Sequence, residues 1–301
     1  MIKPEVSVVL ITWNRREELL TTIKKIYESD YKNFEVIVAD NNSHDGTVDA
    51  IKKEYSEVNL IALEENIGIG AYNQCFQTAQ GKYILILDDD SYPEQEAMGK
   101  MVKVFDNEPK TGIIAFNIIN TVTGKPCDFW HIPTLKGSVK WVNFLGCGAG
   151  IRTELLKKVG GYPEEFFIYE NELDVSLKVL NEGYTITFNS EIIAFHPFTQ
   201  EKRGNERVIY YGTKNKLLLL WKYFSLETVF VLTLKFVIIN LFLTLKRGRG
   251  LLRLRAFKDA FKQYSSYAKK NKVTRGIDSD TRKKLAPFFN EFCLRTWLKR
   301  M

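Results

Sequence analysis

With 301 residues, 45% of them hydrophobic, the chain can bury one large core or a core with an appendage. Its opening, MIKPEVSVVLIT, lacks the small-residue cleavage site of a signal peptide, and Cys75, Cys127, Cys147 and Cys293 form no CxxC pair, which argues against zinc or redox work and for reduced cytosolic thiols. The net charge of +7 is uneven: residues 202–301 hold 24 Lys+Arg against 6 Asp+Glu, a net +18, while residues 1–201 hold 19 against 30, a net −11. An acidic front with a basic tail suggests two jobs, the tail facing a polyanion, either nucleic acid or an anionic membrane.

In chain order, VSVVLIT (6–12) is a buried strand by its branched residues, and RREELLTTIKKIYES (15–29) follows as a helix with Leu19, Ile23 and Ile26 at helical spacing. FEVIVAD (34–40) is a second strand, and Asp45 or Thr47 can cap the helix TVDAIKKEY. NLIAL (59–63) is a third strand, AYNQCFQTAQ (71–80) a helix, and YILILDDD a strand that runs into three carboxylates. Strands separated by helices of this length imply right-handed crossovers and a parallel sheet covered on both faces. Ligands of such sheets sit at the carboxyl ends of the strands, here Thr12, Asp40, Glu64 to Gly68 and the triplet Asp88, Asp89, Asp90.

Three adjacent carboxylates repel one another and raise one another's pKa, a penalty that a hard divalent cation with oxygen ligands removes. A solvated acidic turn is the alternative; the position of the triplet after a buried strand, on a sheet whose other strand ends are polar, argues against it.

The stretches VSVVLITWNR, VIVADNNSHDGT, ENIGIGAYNQCFQTAQGKYILILDDD and GGYPEEFFIYENELDVSLKVLNEGY, in that order, resemble the successive motifs of family 2 glycosyltransferases with the GT-A fold. Within that family the chain is most similar to the rhamnosyltransferase-like group of cell-surface polysaccharide enzymes, over about residues 5–220. The resemblance implies an α/β GT-A domain: a mixed, mainly parallel, Rossmann-like sheet with helices on both faces, over residues 1–220; the composition of the tail adds a helical, basic and apolar, membrane-associating extension at 221–301. The resemblance also implies inverting transfer of a sugar from a nucleotide diphosphate sugar, UDP- or dTDP-linked, assisted by Mn²⁺ or Mg²⁺.

By the same resemblance Thr12, Asn14, Asp40 and Asn42 surround the nucleotide. Asp40 suits a pyrimidine because a carboxylate accepts the imide N–H of uracil or thymine, which cytosine lacks. Taken alone, Asp40 before Asn41-Asn42-Ser43 equally fits an Asx turn. The loop Asn66 to Gly70 suggests GxGxxG, but Asn73 replaces the third glycine and the loop follows the third strand, so it is weak as a dinucleotide fingerprint. The family places this loop near the donor, which makes Asn66, Gly68 and Asn73 candidates. Asp88 and Asp89 would face the nucleotide, and Asp90 and His196 would bind the metal, which stabilises charge on the departing nucleotide diphosphate.

An inverting transfer needs a base on the acceptor hydroxyl. The family usually supplies an Asp from a Glu-Asp pair, and Asn171-Glu172 stands there instead, so the resemblance assigns the base to Glu172, one methylene longer. Asp174, Trp130 and Trp141 are candidates for the acceptor side, and Lys202, Arg203 and Arg207 for closing over a diphosphate; ordinary ion pairing of Asp174 with Lys178, buried tryptophans and a solvated basic loop are the competing readings.

In the tail, Val229 to Leu245 is a 17-residue run with Lys235 as its only charge, shorter than the ~20 residues of a comfortable span. On a following helix, Leu254, Phe257, Phe261 and Tyr264 form a stripe flanked by Arg253, Arg255, Lys258 and Lys262. That pattern suits a helix lying on anionic lipid; duplex nucleic acid would leave the apolar face exposed. A helix packed on the catalytic domain is the alternative. The expectation is a cytoplasmic enzyme, peripheral on the inner face of the membrane, acting on a lipid-linked or oligosaccharide acceptor, with homo-oligomers and without nucleic acid. The competing classes are a nucleotidyltransferase, which would want glycines in TWNRREE, and a catalytically inactive membrane-attached binding protein.

Overall fold

The computed structural model describes residues 3–127, 136–198, 206–247 and 250–270, with Thr281 and Leu285. The chain divides into two compact units. The first comprises residues 1–167 and 171–199, the second 168–170 and 200–301.

The first unit is built on a sheet that orders β3 (Asn59–Ala62), β2 (Phe34–Asp40), β1 (Val6–Thr12), β4 (Tyr83–Ile86), β9 (Ala149–Arg152), β6 (Thr111–Asn120), β10 (Thr185–His196) and β5 (Tyr92–Pro93). The short strands β7 (Lys125–Pro126) and β8 (Ser138–Trp141) pair with β6 and β10. The run β3-β2-β1-β4 is parallel, as is β6 with β10, and β9 joins the two blocks antiparallel to both β4 and β6. The helices of this unit are α1 (Arg16–Tyr27), α2 (Thr47–Glu54), α3 (Ala71–Thr78), α4 (Ala97–Asn107), α5 (Thr153–Lys158) and α6 (Asn171–Asn181).

Periodicity explains the packing. Leu19, Ile23 and Ile26 of α1 and Met98, Met101 and Phe105 of α4 are buried in one cluster with Val6, Val8 and Leu10 of β1 and Tyr83 and Leu85 of β4. These positions lie on one face of each helix, and alternate along the strands, so burial follows the 3.6- and 2-residue periods. Gly46, in the left-handed region, precedes α2, and just ahead of it the Asp45 carboxylate accepts the Thr47 amide at 3.1 Å and the Thr47 hydroxyl at 2.5 Å.

The second unit holds α7 (Glu206–Tyr223), α8 (Leu226–Arg247) and α9 (Gly250–Lys270). Trp221 of α7 lies edge-on to Phe257 and Tyr264 of α9, each at 5.7 Å, and donates from Nε1 to Thr233 of α8. With Phe261 at 6.3 Å, three of the four residues of the expected α9 stripe meet Trp221, although Leu254 and Phe261 remain 65% and 61% exposed. On α8, Phe230, Leu234 and Ile238 recur every four residues and are exposed. Among the described residues no helix is long and apolar enough to cross a membrane. The Ile168–Glu170 segment belongs to this unit: Asn215 donates to the carbonyls of Ile168 and Tyr169 at 2.8 and 2.9 Å, and Lys216 faces Glu170 at 3.6 Å.

Candidate active site

Strand ends assemble the site. Thr12 and Asp40 are register partners at the carboxyl ends of β1 and β2, and both are buried. One oxygen of Asp40 accepts the Ser43 amide, three residues on, at 2.8 Å, so the side chain closes the turn Asn41-Asn42-Ser43 one residue later than a simple Asx turn would. The other, Oδ1, is buried and has no hydrogen-bond partner among the described residues. A buried carboxylate oxygen without a donor is costly unless a ligand supplies one. Asn14 and Asn42 both have left-handed backbones. Asn14 ties the two loops together, donating its amide to Ser43 Oγ at 2.8 Å and accepting the His44 amide at 2.7 Å.

The glycine loop is held by its neighbours. Asn66 accepts the Gly68 amide at 2.9 Å, and Asn41 accepts from Ile67 and donates to the Gly68 carbonyl. At φ +64°, a Cβ on Gly68 would stand 2.1 Å from the Phe167 carbonyl oxygen, so only glycine fits. Both ends of the Asn73 amide are engaged with the main chain of Tyr162, at 2.9 and 3.0 Å. In this structure Asn73 joins α3 to the segment before α6.

The carboxylate triplet separates into two roles. Asp88, Asp90 and His196 bring one donor atom each within 4.8 Å of one another, with His196 Nε2 3.1 Å from Asp90 and 3.5 Å from Asp88. The two-residue strand β5 produces this meeting. It follows the triplet at once and pairs Tyr92 with Phe195, which sets His196 beside Asp90. Asp89 instead points inward, accepting from the Thr12 hydroxyl at 3.0 Å and facing Arg15 at 3.4 Å. Arg15 also donates to Asp90 at 2.6 Å. Sequence reasoning passed over Arg15; its place three residues beyond β1 was the available signal. Tyr72, also missed, donates to the Leu87 carbonyl at 2.7 Å and stands 3.4 Å from Asp88 Oδ1.

The charges respond accordingly. Burial, reinforced by the neighbouring carboxylates and opposed by Arg15, pushes Asp89 up to about 7. Burial also works to raise Asp90, but His196 and Arg15 outweigh it and hold that carboxyl below its ordinary value. For His196 burial lowers the pKa, yet Asp88 and Asp90 raise it to about 9. Two carboxylates and an imidazole are a donor set suited to Mn²⁺, and a cation there would relieve the same repulsion that His196 and Arg15 now offset.

Glu172, half-buried in the first turn of α6, lies across a small-residue run from these groups. The thiol of Cys147 is pushed well up by burial first and then by the charges of Asp88, Glu172 and Asp90 among its neighbours. The buried Tyr162 hydroxyl is raised by burial and then by Glu172 and Asp88. Asp174 is fully buried on α6 and faces Lys178 at 2.7 Å, the ion pairing that competes with its acceptor-side reading. The backbone of Trp141 pairs with that of Ile186, toward the opposite end of β10 from His196. Trp130, Lys202 and Arg203 lie outside the described residues, and Arg207 is exposed in the first turn of α7.

A mixed α/β sheet that presents an Asp-Asp-His cluster at its strand ends defines a GT-A glycosyltransferase. Residues 7–160 match the family Glycosyl transferase family 2, and the chain belongs to that family. It is 21% identical over 262 residues to a dolichyl N-acetyl-alpha-D-glucosaminyl phosphate 3-beta-D-2,3-diacetamido-2,3-dideoxy-beta-D-glucuronosyltransferase of Methanococcus voltae, covering 79% of this chain and 81% of that one. It is 32% identical over 195 residues to the Escherichia coli UDP-Glc:alpha-D-GlcNAc-diphosphoundecaprenol beta-1,3-glucosyltransferase WfaP, covering 61% and 76%. Among solved structures it resembles the mannosyltransferase PcManGT from Pyrobaculum calidifontis in complex with GDP-Man and Mn²⁺. That match has a TM-score of 0.56 at 22% identity and covers 72% of this chain and 63% of that one. The nucleotidyltransferase and inactive-protein readings are set aside: the chain is a glycosyltransferase.

Proposed function

We propose that this glycosyltransferase moves a sugar, with inversion, from a UDP- or dTDP-sugar to a lipid-linked or glycan acceptor in cell-surface polysaccharide synthesis. The observation that carries the donor reading is the unpartnered, buried Oδ1 of Asp40 beside Thr12, an acceptor waiting for an imide N–H. The UDP-Glc and diphosphoundecaprenol in the name of the Escherichia coli relative support it. Asn14, Asn42, Asn66 and Gly68 shape the adjoining loops, with Asp88 toward the nucleotide and Asp89 behind it, held by Thr12 and Arg15.

Asp90 and His196, with Asp88 beside them, would hold Mn²⁺ or Mg²⁺, which would supply charge neutralisation for the departing nucleotide diphosphate. Glu172 would accept the proton of the acceptor hydroxyl; its half-buried carboxylate lies beside Gly146, and a Cβ built there would stand 3.0 Å from Oε1. A panel of UDP-, dTDP-, CDP- and GDP-sugars, scored for binding and nucleotide release with Mn²⁺, tests this. Preference for CDP or GDP would refute it.

The C-terminal unit would dock on the inner face of the cytoplasmic membrane, where a lipid-linked acceptor is presented. Exposed Phe230, Leu234 and Ile238 on α8, and exposed Leu254, Phe261, Arg255, Lys258 and Lys262 on α9, support this reading.

A further inference from the structure

We infer that Gly146 is a positioning residue for the reaction: it keeps free the space of one methyl group beside the Glu172 carboxylate, and so fixes where that carboxylate sits. The inference rests on Glu172 as the base. A Cβ built on Gly146 would stand 3.0 Å from Glu172 Oε1, with Glu172 Cδ and Tyr162 Oη next at 3.9 Å. The backbone of Gly146 is outside the left-handed region, so its conformation does not demand glycine. What demands it is room for Glu172.

The other glycines of the run meet different neighbours. A Cβ on Gly148 would press on Ile118 at 2.5 Å and Ala194 at 2.9 Å, and one on Gly150 on Met101 at 2.4 Å, all core contacts. Gly146 alone among these three borders a carboxylate. A methyl there meets the far end of a flexible side chain, which yields by rotation at small cost to the fold. The base, however, works only within hydrogen-bond reach of its proton, about 2.6–3.2 Å between heavy atoms. The 3.0 Å contact obliges the carboxylate to give by a few tenths of an ångström, and since a displacement of about 1 Å can cost ~10²-fold in rate, a shift of that size is worth severalfold. An aspartate at 172 is one methylene shorter and withdraws from the methyl, so the absent side chain at 146 and the length of the acid at 172 form a matched pair.

The test compares Gly146→Ala, Glu172→Asp, the double variant, Glu172→Gln and, as a packing control, Gly148→Ala. Gly146→Ala is expected to lower kcat severalfold with donor KM and Tm unchanged, and its crystal structure to show the Glu172 carboxylate shifted away from position 146. In the Glu172→Asp background the same alanine is expected to cost nothing further, a non-additivity that marks direct coupling. Unchanged kcat, an equal loss in both backgrounds, or a fall in Tm like that of Gly148→Ala would each overturn the inference. Turnover is scored as nucleotide released from the best donor of the panel. If none turns over, the crystal structure of Gly146→Ala decides alone, and a Glu172 carboxylate in its original position refutes the inference. Full turnover in Glu172→Gln removes the base assignment itself, whereas loss there with none in Gly146→Ala removes only the role of Gly146.

Discussion

The guanidinium of Arg15 donates to Oδ2 of Asp90 at 2.6 Å, leaving Oδ1 to face His196 at 3.1 Å. Asp90 is thereby aimed from both sides, and the second contact of Arg15, with Asp89 at 3.4 Å, offsets part of the repulsion within the triplet. Arg15 is partly exposed, so its replacement by Met is expected to cost only about 1 kcal/mol of stability. Metal affinity should fall more visibly, because Asp90 loses its orienting partner. Thermal melts and Mn²⁺ titrations of nucleotide binding measure the two separately; unchanged Mn²⁺ affinity would show that Asp90 is aimed without Arg15.

Asp90→Asn is expected to abolish Mn²⁺-dependent nucleotide binding, and Asp88→Asn to weaken it strongly, since both carboxylates meet His196 in one cluster. Asp89→Asn should be milder, because that side chain is turned inward to Thr12 and Arg15. Calorimetry with and without chelator checks the order; full activity in excess chelator would end the metal proposal.

Removal of the unpartnered acceptor in Asp40→Ala is expected to weaken UDP by about 1.5–3 kcal/mol, the worth of a hydrogen bond to a charged group. CDP, which lacks the imide donor, should bind the unaltered protein less well than UDP. Equal affinities for UDP and CDP would contradict the role given to Asp40.

Glu172→Gln should leave donor affinity nearly intact and cut turnover by ~10²-fold or more, as loss of a general base does. Asp174→Ala should act on stability instead, by about 3 kcal/mol, because it strands Lys178 against a buried position. Turnover lost in folded Asp174→Ala but kept in Glu172→Gln would transfer the base role.

Binding to vesicles is expected to require anionic lipid and to fall with salt, since each basic residue near such a surface contributes roughly 1 kcal/mol. Reversing Lys258 and Lys262 to Glu should weaken partitioning by about tenfold or more, and Phe230→Glu with Leu234→Glu should remove the apolar share. Co-sedimentation that is equal on neutral vesicles at high salt would point to insertion, and none at all would confine these helices to packing.

Much of this protein is written in local sequence. Alternating branched strands and amphipathic helices give the β-α order, because burial on a sheet or helix face obeys short periods that need no partner to be seen. For the same reason Thr12, Asp40 and the triplet are legible as strand ends, and a turn closed by the Asp40 side chain is legible in the three residues after it. Other decisions belong to the tertiary structure. Which two of three consecutive carboxylates face His196, more than a hundred residues away, depends on the two-residue strand β5, too short to carry a periodicity. The pairing of Arg15 with residues some 75 positions on, the burial of Asp174 and the methyl-sized space between Gly146 and Glu172 arise only when distant segments pack. Three of the four residues of the α9 stripe likewise meet Trp221 of α7, because a helical sequence fixes which residues share a face but not what that face will meet.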